Sequence, residues 1–296
     1  MPEKIFIISG PTASGKSSLA LQLADWRNIA IINADSLQIY EGLPILSSQP
    51  SASEQKKVAH FLYSYFKPYE ISSVGKWLEL VKSTVEQVIA AGKLPVIVGG
   101  SGMYISKLVE GISKMPAIDE AIKTEAIQLY EKLGHDEFQK KFGEEKIIDK
   151  QRLIRACEVL LQSGKPISFW QNQAAEKIFP KANFTHVNLE IDRKKLYENC
   201  NLRFVEMLKQ GAIEEVQNLI KQGVRPDWQI TKTLGFEEIS QFLQGEIKEE
   251  KMLEIATQKT RNYAKRQLTW FRNQLPNKLN FTDAATSLKF LKSHEI

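Results

Sequence analysis

A glycine-rich segment near the start of the chain constrains the fold more than any other feature of the sequence. Residues 10–18 read GPTASGKSS, and they follow the short isoleucine-rich run KIFIISG. Such a run is typical of a buried strand, and the following residues, KSSLALQLADW, have the apolar spacing of a helix. A strand, a glycine turn and a helix in this order indicate an α/β fold with a parallel sheet.

Three further apolar runs predict that the sheet continues beyond the first strand. They are IAIINAD at 29–35, LPVIVGGSGMY at 94–104 and HVNLEI at 186–191. The first two are separated by a stretch with helical apolar spacing, VGKWLELVKSTVEQVIAAGK. Strands that alternate with helices favour a parallel arrangement, because each crossover needs a helix-length connection.

The sequence pattern changes after residue 112. From there it predicts charged amphipathic helices that follow one another without a strand between them. We therefore predict a P-loop NTPase-like core, a parallel sheet flanked by helices, from residues 1–112 and 186–296. Residues 113–185 are predicted to form an all-helical insertion domain. Residues 45–55, ILSSQPSASEQ, are rich in Ser, Gln and Pro, and this composition predicts a mobile loop.

Composition excludes several classes of protein. With 43% apolar and 25% charged residues, the chain can bury a sizeable core without disulfide bonds. Cys157 and Cys200 lack a CxxC partner, and the four histidines, which include His186 and His294, are too scattered for a metal site. No apolar run approaches membrane-spanning length and no secretory signal is visible, so we expect a soluble cytoplasmic protein without membrane association.

Positive charge is concentrated near the end of the chain. The net charge is +5, and residues 255–282 contain no acidic residue. On a helix, Arg261, Lys265 and Arg272 fall within about 40° of one another, with Tyr263 and Trp270 on the opposite side. This cationic row suits contact with a phosphodiester backbone, and it equally fits an ordinary solvated helix face.

The glycine-rich segment has the chemistry of a phosphate-binding loop. Glycine permits the backbone angles at which several N–H groups converge on phosphate oxygens, and the positive end of the following helix adds to the attraction. Lys16 supplies a charge, and the Ser17 hydroxyl can bind Mg²⁺. The predicted diphosphate-binding residues are Gly10, Pro11, Thr12, Ala13, Ser14, Gly15, Lys16 and Ser17. The pattern indicates a diphosphate or triphosphate ligand without specifying which.

Asp35 ends the second predicted strand, at the sheet edge where the phosphate loop also lies. A carboxylate at this place can organise a metal ion, accept a proton from a nucleophile, or cap a helix. The spacing of residues leaves these three roles open.

Taken together, these stretches resemble the tRNA dimethylallyltransferase (isopentenyltransferase) family. The resemblance covers nearly the whole chain, and DSLQIY at 35–40 and AKRQLTWFR at 264–272 carry it most specifically. Further matches are GPTASGKS (10–17), LPVIVGGSGMYI (94–105), DKQRLIRACEV (149–159) and LRFVEMLKQGAIEEVQNLIKQG (202–223). The resemblance implies transfer of a dimethylallyl group from dimethylallyl diphosphate to N6 of the adenosine 3′-adjacent to the anticodon of tRNA, with release of diphosphate.

The resemblance also implies roles for individual residues. Lys16 and Arg203 would stabilise the departing diphosphate, Asp35 would accept the proton of the amine, and Mg²⁺ would bind at Ser17. The implied tRNA contacts are Asp35, Ser36, Leu37, Gln38, Ser101, Lys123, Gln151, Arg152, Leu153, Ile154, Arg155, Lys232, Lys265, Arg266, Gln267 and Arg272. The partners would be the anticodon stem-loop and dimethylallyl diphosphate, and the enzyme would act as a monomer.

Three alternatives remain open at this stage. A small-molecule or nucleotide kinase shares the phosphate loop and an aspartate after the second strand, and it would consume ATP. A related prenyltransferase would modify free adenine nucleotides and would lack a long RNA-clasping arm. A non-enzymatic P-loop scaffold would bind RNA and tolerate loss of Asp35.

Overall fold

The computed structural model of the chain describes residues 3–144, 147, 149–275 and 277–293, so His294 lies outside the described residues. The strands are β1 (Lys4–Ser9), β2 (Ile29–Asn33), β3 (Ala59–Phe61), β4 (Leu94–Gly99), β5 (Ile112–Ser113), β6 (Ala175–Glu176), β7 (Asn183–Leu189) and β8 (Leu279–Phe281).

The first helices are α1 (Lys16–Leu23), α2 (Ala52–Lys57), α3 (Val74–Ala90), α4 (Gly102–Glu110), α5 (Glu120–Leu133), α6 (His135–Phe142), α7 (Lys150–Ser163) and α8 (Ile167–Gln171). The later ones are α9 (Arg193–Lys209), α10 (Ala212–Lys221), α11 (Phe236–Leu243), α12 (Glu249–Gln274) and α13 (Ala284–Ser293), with a 3₁₀ helix at Gln229–Lys232.

The central sheet is parallel and has the strand order β3-β2-β4-β1-β7-β8. This arrangement confirms the predicted α/β class. The apolar residues of β1, from Ile5 to Ile8, are all buried, because helices cover both faces of a parallel sheet. Since β1 lies between β4 and β7, the loop that follows it sits in the middle of the sheet's carboxyl edge, where α/β folds place their ligands.

The chain divides into two compact units, residues 1–109 with 179–296 and residues 110–178. The predicted boundary between residues 185 and 186 is wrong, since it would cut β7, which begins at Asn183. The second unit is also not all-helical, because β5 and β6 pair antiparallel, with Ile112 opposite Glu176. Strands of two residues are too short to produce an alternating apolar pattern, so the sequence analysis missed them.

Residues 45–55, which were predicted to be a mobile loop, contain the start of a helix and local hydrogen bonds. Leu46 is buried. Helix α2 then starts with a capping box, in which the Ser51 side chain accepts from the Glu54 amide and the Glu54 carboxylate accepts from the Ser51 amide. The S-x-x-E spacing of this box is visible in the sequence and is a stronger signal than the polar composition around it.

None of the helices in the described part of the chain is long and apolar enough to cross a membrane.

Candidate active site

The phosphate loop joins β1 to α1 and depends on two glycines. Gly15 has a φ of +88°, and Ala13 also adopts a left-handed conformation with a φ of +61°. A side chain on Gly10 would place its Cβ 2.8 Å from Ser14 Oγ and 3.0 Å from the Leu189 carbonyl oxygen. The loop therefore turns tightly against β7 and delivers the chain into the first turn of α1, whose N–H groups lack helical partners.

Lys16 lies across this loop. Its Nζ donates a hydrogen bond to the Pro11 carbonyl oxygen at 3.1 Å. Burial lowers the pKa of Lys16 to about 8, with the charge of Asp35 opposing and that of Arg203 adding to this effect. The amine is charged below this pH, and an anionic phosphate oxygen would be a stronger acceptor than the peptide carbonyl that it now contacts.

Helix α9 brings a second cation to the loop. Arg203 donates to the Thr12 hydroxyl, and Asn199 Nδ2 donates to the Ala13 carbonyl oxygen at 3.2 Å. Burial lowers the pKa of the Arg203 guanidinium, yet arginine stays charged in proteins. Arg203 and Lys16 thus place two positive charges around the same loop.

Asp35 follows β2 and is held by hydrogen bonds to residues close to it in sequence. The Asp35 amide donates to Asn33 Oδ1 at 2.8 Å, and Asp35 Oδ1 accepts from the Leu37 amide at 3.0 Å. Within the described residues, Asp35 Oδ2 accepts no hydrogen bond. One oxygen therefore fixes the carboxylate, and the other is available to a ligand.

Asp35 and Arg203 line one cavity of about 320 Å³. Its polar lining also includes Thr12 of the phosphate loop. Its apolar lining consists of Leu37, Leu46, Cys200, Phe204, Met207 and Leu234. Lys16 and Ser17 line a neighbouring cavity of about 840 Å³, to which Arg203 and Met207 also contribute.

A further cavity of about 470 Å³ adjoins the one that contains Asp35. The residues that line both are Ser36, Leu37, Lys232, Tyr263 and Arg266. Ser101 belongs to the larger cavity alone, and its hydroxyl accepts a hydrogen bond from the Ser36 amide at 3.0 Å. The structure thus joins a cation-lined, partly apolar cavity to a second cavity through a shared wall that begins next to Asp35.

Comparison with known proteins identifies the family of this chain. The family model described as IPP transferase matches residues 38–274. A tRNA dimethylallyltransferase from Ehrlichia ruminantium is 41% identical over 295 residues, covering 97% of this chain and 97% of its own. The chain belongs to the IPP transferase family. A tRNA dimethylallyltransferase from Rhodospirillum centenum is 38% identical and is covered over 89% of its length.

Solved structures share the fold. The full-length tRNA isopentenylpyrophosphate transferase from Bacillus halodurans has a TM-score of 0.71 and 28% identity, over 98% of this chain and 94% of its own. A eukaryotic dimethylallyltransferase, captured acting on tRNA, has a TM-score of 0.80 at 24% identity, over 99% of this chain and 81% of its own. The second likeness supports the fold alone, because its identity is low.

In this IPP transferase family member, helix α12 contributes four residues to one cavity, of which the sequence analysis named Arg266 and Gln267 as RNA contacts but gave Tyr263 and Trp270 no role in the site. Tyr263, Arg266, Gln267 and Trp270 all line the 470 Å³ cavity. They have the spacing i, i+3, i+4 and i+7 of one helix face, which is the signal that would have added Tyr263 and Trp270 to the site. Trp270 packs so closely on Gly102 that a Cβ there would lie 2.0 Å from its ring.

Two predicted RNA contacts use their side-chain amides inside the protein. Gln267 Oε1 accepts from the Thr12 amide at 2.8 Å, and its Nε2 donates to the Gly100 carbonyl oxygen at 2.9 Å. Gln38 Nε2 donates to the carbonyl oxygens of Ser47 at 2.9 Å and Ser48 at 2.8 Å. Both side chains are thus hydrogen-bonded to backbone groups of the protein.

The three cations of the predicted row on α12 differ in the partners that they contact. Arg272 pairs with Glu190 at 2.7 Å, and Arg261 donates to Asn201 at 2.6 Å. Lys265 is exposed and has no ion-pair partner within the described residues. Of the three, Lys265 is therefore the cation whose charge is not shared with a protein carboxylate or amide.

Lys123 and residues 151–155 lie in the second unit. Leu153 is fully buried in the core of that unit with Phe138 and Cys157, so its side chain is not exposed for the predicted contact with RNA. Its burial follows from helical periodicity, because every third or fourth residue of α7 faces the core even where the residues between them are exposed. Gln151 and Arg152 are exposed, and Ile154 packs against this core in part. Lys123 pairs with Glu120 and Arg155 pairs with Glu158.

Proposed function

We propose that this chain is a tRNA dimethylallyltransferase. It transfers the dimethylallyl group of dimethylallyl diphosphate to N6 of the adenosine 3′-adjacent to the anticodon, and it releases diphosphate. The observation that carries this proposal is that Arg203, Thr12 and Asp35 line one cavity that also has an apolar patch, formed by Leu37, Leu46, Phe204, Met207 and Leu234. A cationic site, a carboxylate and an apolar surface are the three features that an allylic diphosphate and an incoming amine require.

The phosphate loop supplies the leaving-group site. As the allylic C–O bond breaks, negative charge grows on the departing diphosphate, and fixed donors around it lower the barrier. Lys16, Arg203 and the N–H groups at the start of α1 are such donors. Ser14 Oγ supports this assignment, because it is buried without a hydrogen-bond partner among the described residues, as expected where a ligand completes the site.

Asp35 completes the reaction at the other substrate. The exocyclic N6 amine of adenosine forms the new C–N bond with C1 of the allyl group while the C–O bond to diphosphate breaks. The amine must lose one proton, and Asp35 Oδ2 is the acceptor without a protein donor. A carboxylate that is positioned for proton transfer typically contributes a factor of about 10² to 10⁴ to the rate.

The residues of the loop also suit Mg²⁺. Among the residues described, no group of three His, Cys, Asp or Glu side chains forms a metal site. Magnesium in phosphate-transfer sites is commonly held by few protein ligands together with phosphate oxygens and waters. The exposed Ser17 hydroxyl at the start of α1 fits that pattern. Mg²⁺ bound there would neutralise charge on the diphosphate.

The 470 Å³ cavity is proposed to receive the target base. An adenosine inside a stacked loop must leave its stack to react, and aromatic side chains commonly receive such a base. Tyr263 and Trp270 supply aromatic surfaces, and Arg266 lies with its guanidinium 5.6 Å from the Tyr263 ring centre. Ser36, Leu37, Ser101 and Lys232 complete the proposed RNA contacts of this unit, with Lys265 outside the cavity. A monomeric, cytoplasmic enzyme remains part of the proposal.

The test is incubation of the purified protein with labelled dimethylallyl diphosphate and an unmodified anticodon stem-loop, with ATP and free AMP as separate controls. Label on the RNA adenosine alone supports the proposal. Consumption of ATP without label on RNA would establish a kinase instead. Label on free AMP would establish a nucleotide prenyltransferase, and RNA binding without transfer would establish a scaffold.

A further inference from the structure

One turn of chain forms part of the apolar wall of the cavity that contains Asp35. We call residues 43–49 the wall segment. Within it, the amides of Ser47, Ser48 and Gln49 donate to the carbonyl oxygens of Leu43, Ile45 and Pro44 at 3.0, 2.9 and 2.8 Å. These bonds close a single helical turn, and such a turn leaves its first N–H groups and last carbonyl groups without internal partners.

Residues distant in sequence satisfy both ends of the wall segment. At the beginning, the amides of Ile45 and Leu46 donate to the two carboxylate oxygens of Glu215 at 2.7 and 2.9 Å. At the end, Gln38 donates to the carbonyl oxygens of Ser47 and Ser48. An acceptor with negative charge at the first turn and a donor at the last turn are the groups that stabilise a helical turn.

The Glu215 carboxylate holds the wall segment from α10, which otherwise takes no part in the site. Glu215 does not line the cavity, whereas Leu46 and Ser47 do. Leu46 is only 3% exposed, and it lies close to Gly235, where an added Cβ would be 3.2 Å from Leu46 and 2.5 Å from Phe204. Leu46 is therefore a closely packed part of the wall that a longer apolar ligand would meet.

We propose that Glu215 is a positioning residue that sets the prenyl-chain limit of the cavity by holding Leu46 in the wall. This inference rests on the proposed function. A five-carbon dimethylallyl tail fits the closed wall, while a ten-carbon geranyl tail requires the wall segment to move. The restraint against that movement is the pair of hydrogen bonds from consecutive amides to one carboxylate.

The experiment compares transfer from dimethylallyl and geranyl diphosphate to the same anticodon stem-loop. Glu215→Gln keeps the shape of the side chain. One of the two carboxylate oxygens that accept from the Ile45 and Leu46 amides is replaced by an NH₂ group, which is a donor. We expect the geranyl-to-dimethylallyl ratio of kcat/KM to rise about tenfold, as for loss of one charge-assisted hydrogen bond. Leu46→Ala should raise the ratio at least as much. Glu214→Gln removes the same charge at an exposed neighbouring position and should leave the ratio unchanged.

A second readout does not depend on prenyl chemistry. Hydrogen exchange of the Ile45 and Leu46 amides should accelerate in Glu215→Gln and not in Glu214→Gln, because only Glu215 accepts from these amides. An unchanged ratio in both Glu215→Gln and Leu46→Ala, or an equal loss with both diphosphates, would overturn the proposal. If Glu215→Gln does not fold, Leu46→Ala decides the question. Absence of dimethylallyl transfer by the unsubstituted protein would instead overturn the proposed function, while exchange still tests the restraint.

Discussion

Asp35 illustrates how a local turn prepares a functional carboxylate. Asn33 and the amide of Leu37 hold its backbone and its Oδ1 atom, Oδ2 accepts no hydrogen bond within the described residues, and Asp35 lines the same cavity as Arg203. The carboxylate therefore does not need to reorganise when an amine approaches. This division between a restrained oxygen and an accessible one also makes the role testable by an isosteric substitution.

Asp35→Asn should retain the turn, because the amide oxygen can still accept from Leu37. The variant has no base at this position, so kcat for transfer should fall about 10² to 10⁴-fold with affinity for dimethylallyl diphosphate largely kept. Single-turnover transfer and equilibrium binding of the diphosphate measure the two effects. Asp25→Asn, at an exposed carboxylate paired with Lys57, is the matched control. A loss of less than tenfold in Asp35→Asn contradicts the proposed role.

The lowered pKa of Lys16 predicts how the binding of diphosphate depends on pH. Because its pKa is lowered to about 8, the amine is charged below that pH and becomes neutral above it. Affinity for inorganic diphosphate should therefore decline as the pH rises through about 8 to 9. In Lys16→Arg the charge persists over this range, so its affinity should depend much less on pH. Calorimetric titration across the range checks the prediction, and equal declines in both proteins would contradict it.

At the scale of elements, α12 combines three functions. Ala264, Leu268 and Phe271 are buried and anchor the helix. Tyr263 and Trp270 line a cavity, while Gln267 hydrogen-bonds both the phosphate loop and the turn after β4. The same helix thus supports the loop and forms part of the proposed base-binding cavity, which explains why few of its positions are free for RNA contact.

Lys265 and Arg272 should differ in their contribution to RNA binding. Lys265→Gln removes an unshared positive charge, so affinity for the stem-loop should fall several-fold and the salt dependence should lessen by about one ion. Arg272→Gln removes a cation already paired with Glu190 and should change both quantities less. Binding isotherms at several salt concentrations provide the measurement. A larger effect at Arg272 would support the prediction that Arg272 contacts RNA despite its ion pair.

At the scale of the whole molecule, buried polar side chains connect the strand that carries the phosphate loop to the strands beside it. Ser9 Oγ lies 2.8 Å from His186 Nε2 and donates to Asn188 Oδ1 at 3.0 Å. Asn188 Nδ2 in turn donates to Asn280 Oδ1 at 2.9 Å. This network crosses β1, β7 and β8, so a charge introduced into it affects the folding equilibrium of the sheet.

Because His186 is buried in this network, we expect the free energy of unfolding to decrease in mild acid. Burial, with Lys278 adding, lowers its pKa to about 4 from the ordinary value of 6.5. The unfolded chain binds the proton more readily, so stability falls as the pH decreases from 6.5 towards 4. By linkage, the loss between pH 7 and pH 5.5 amounts to about 1.2 kcal/mol. Urea unfolding at pH 7 and at pH 5.5 measures it.

The comparison variant is His186→Gln, whose amide cannot take up a proton in this range. It should be less stable at pH 7 but should lose less stability between the two pH values. Lys195→Gln, at an exposed position, controls for surface charge. If His186→Gln shows the same acid-dependent loss as the unsubstituted protein, His186 is not its source.

The sequence by itself determined the features that are encoded locally. The glycine loop after β1, the buried runs of β2 and β4, and Asp35 at the end of a strand each depend on a few consecutive residues, whose types restrict the backbone directly. The parallel α/β core was predictable for the same reason. The capping box of α2 was equally local, and it was missed because polar composition was given more weight than spacing.

Only the tertiary structure decided which side chains remain available to a ligand. Arg272 pairs with Glu190, Leu153 packs in a core with Phe138, and Gln267 hydrogen-bonds the Gly100 carbonyl oxygen, and each of these partners lies outside the helix that carries the residue. The Ile45 amide and its acceptor Glu215 are 170 residues apart. Periodicity reports which face of an element is buried, whereas the partner on that face depends on how distant elements pack, and a single sequence does not state this.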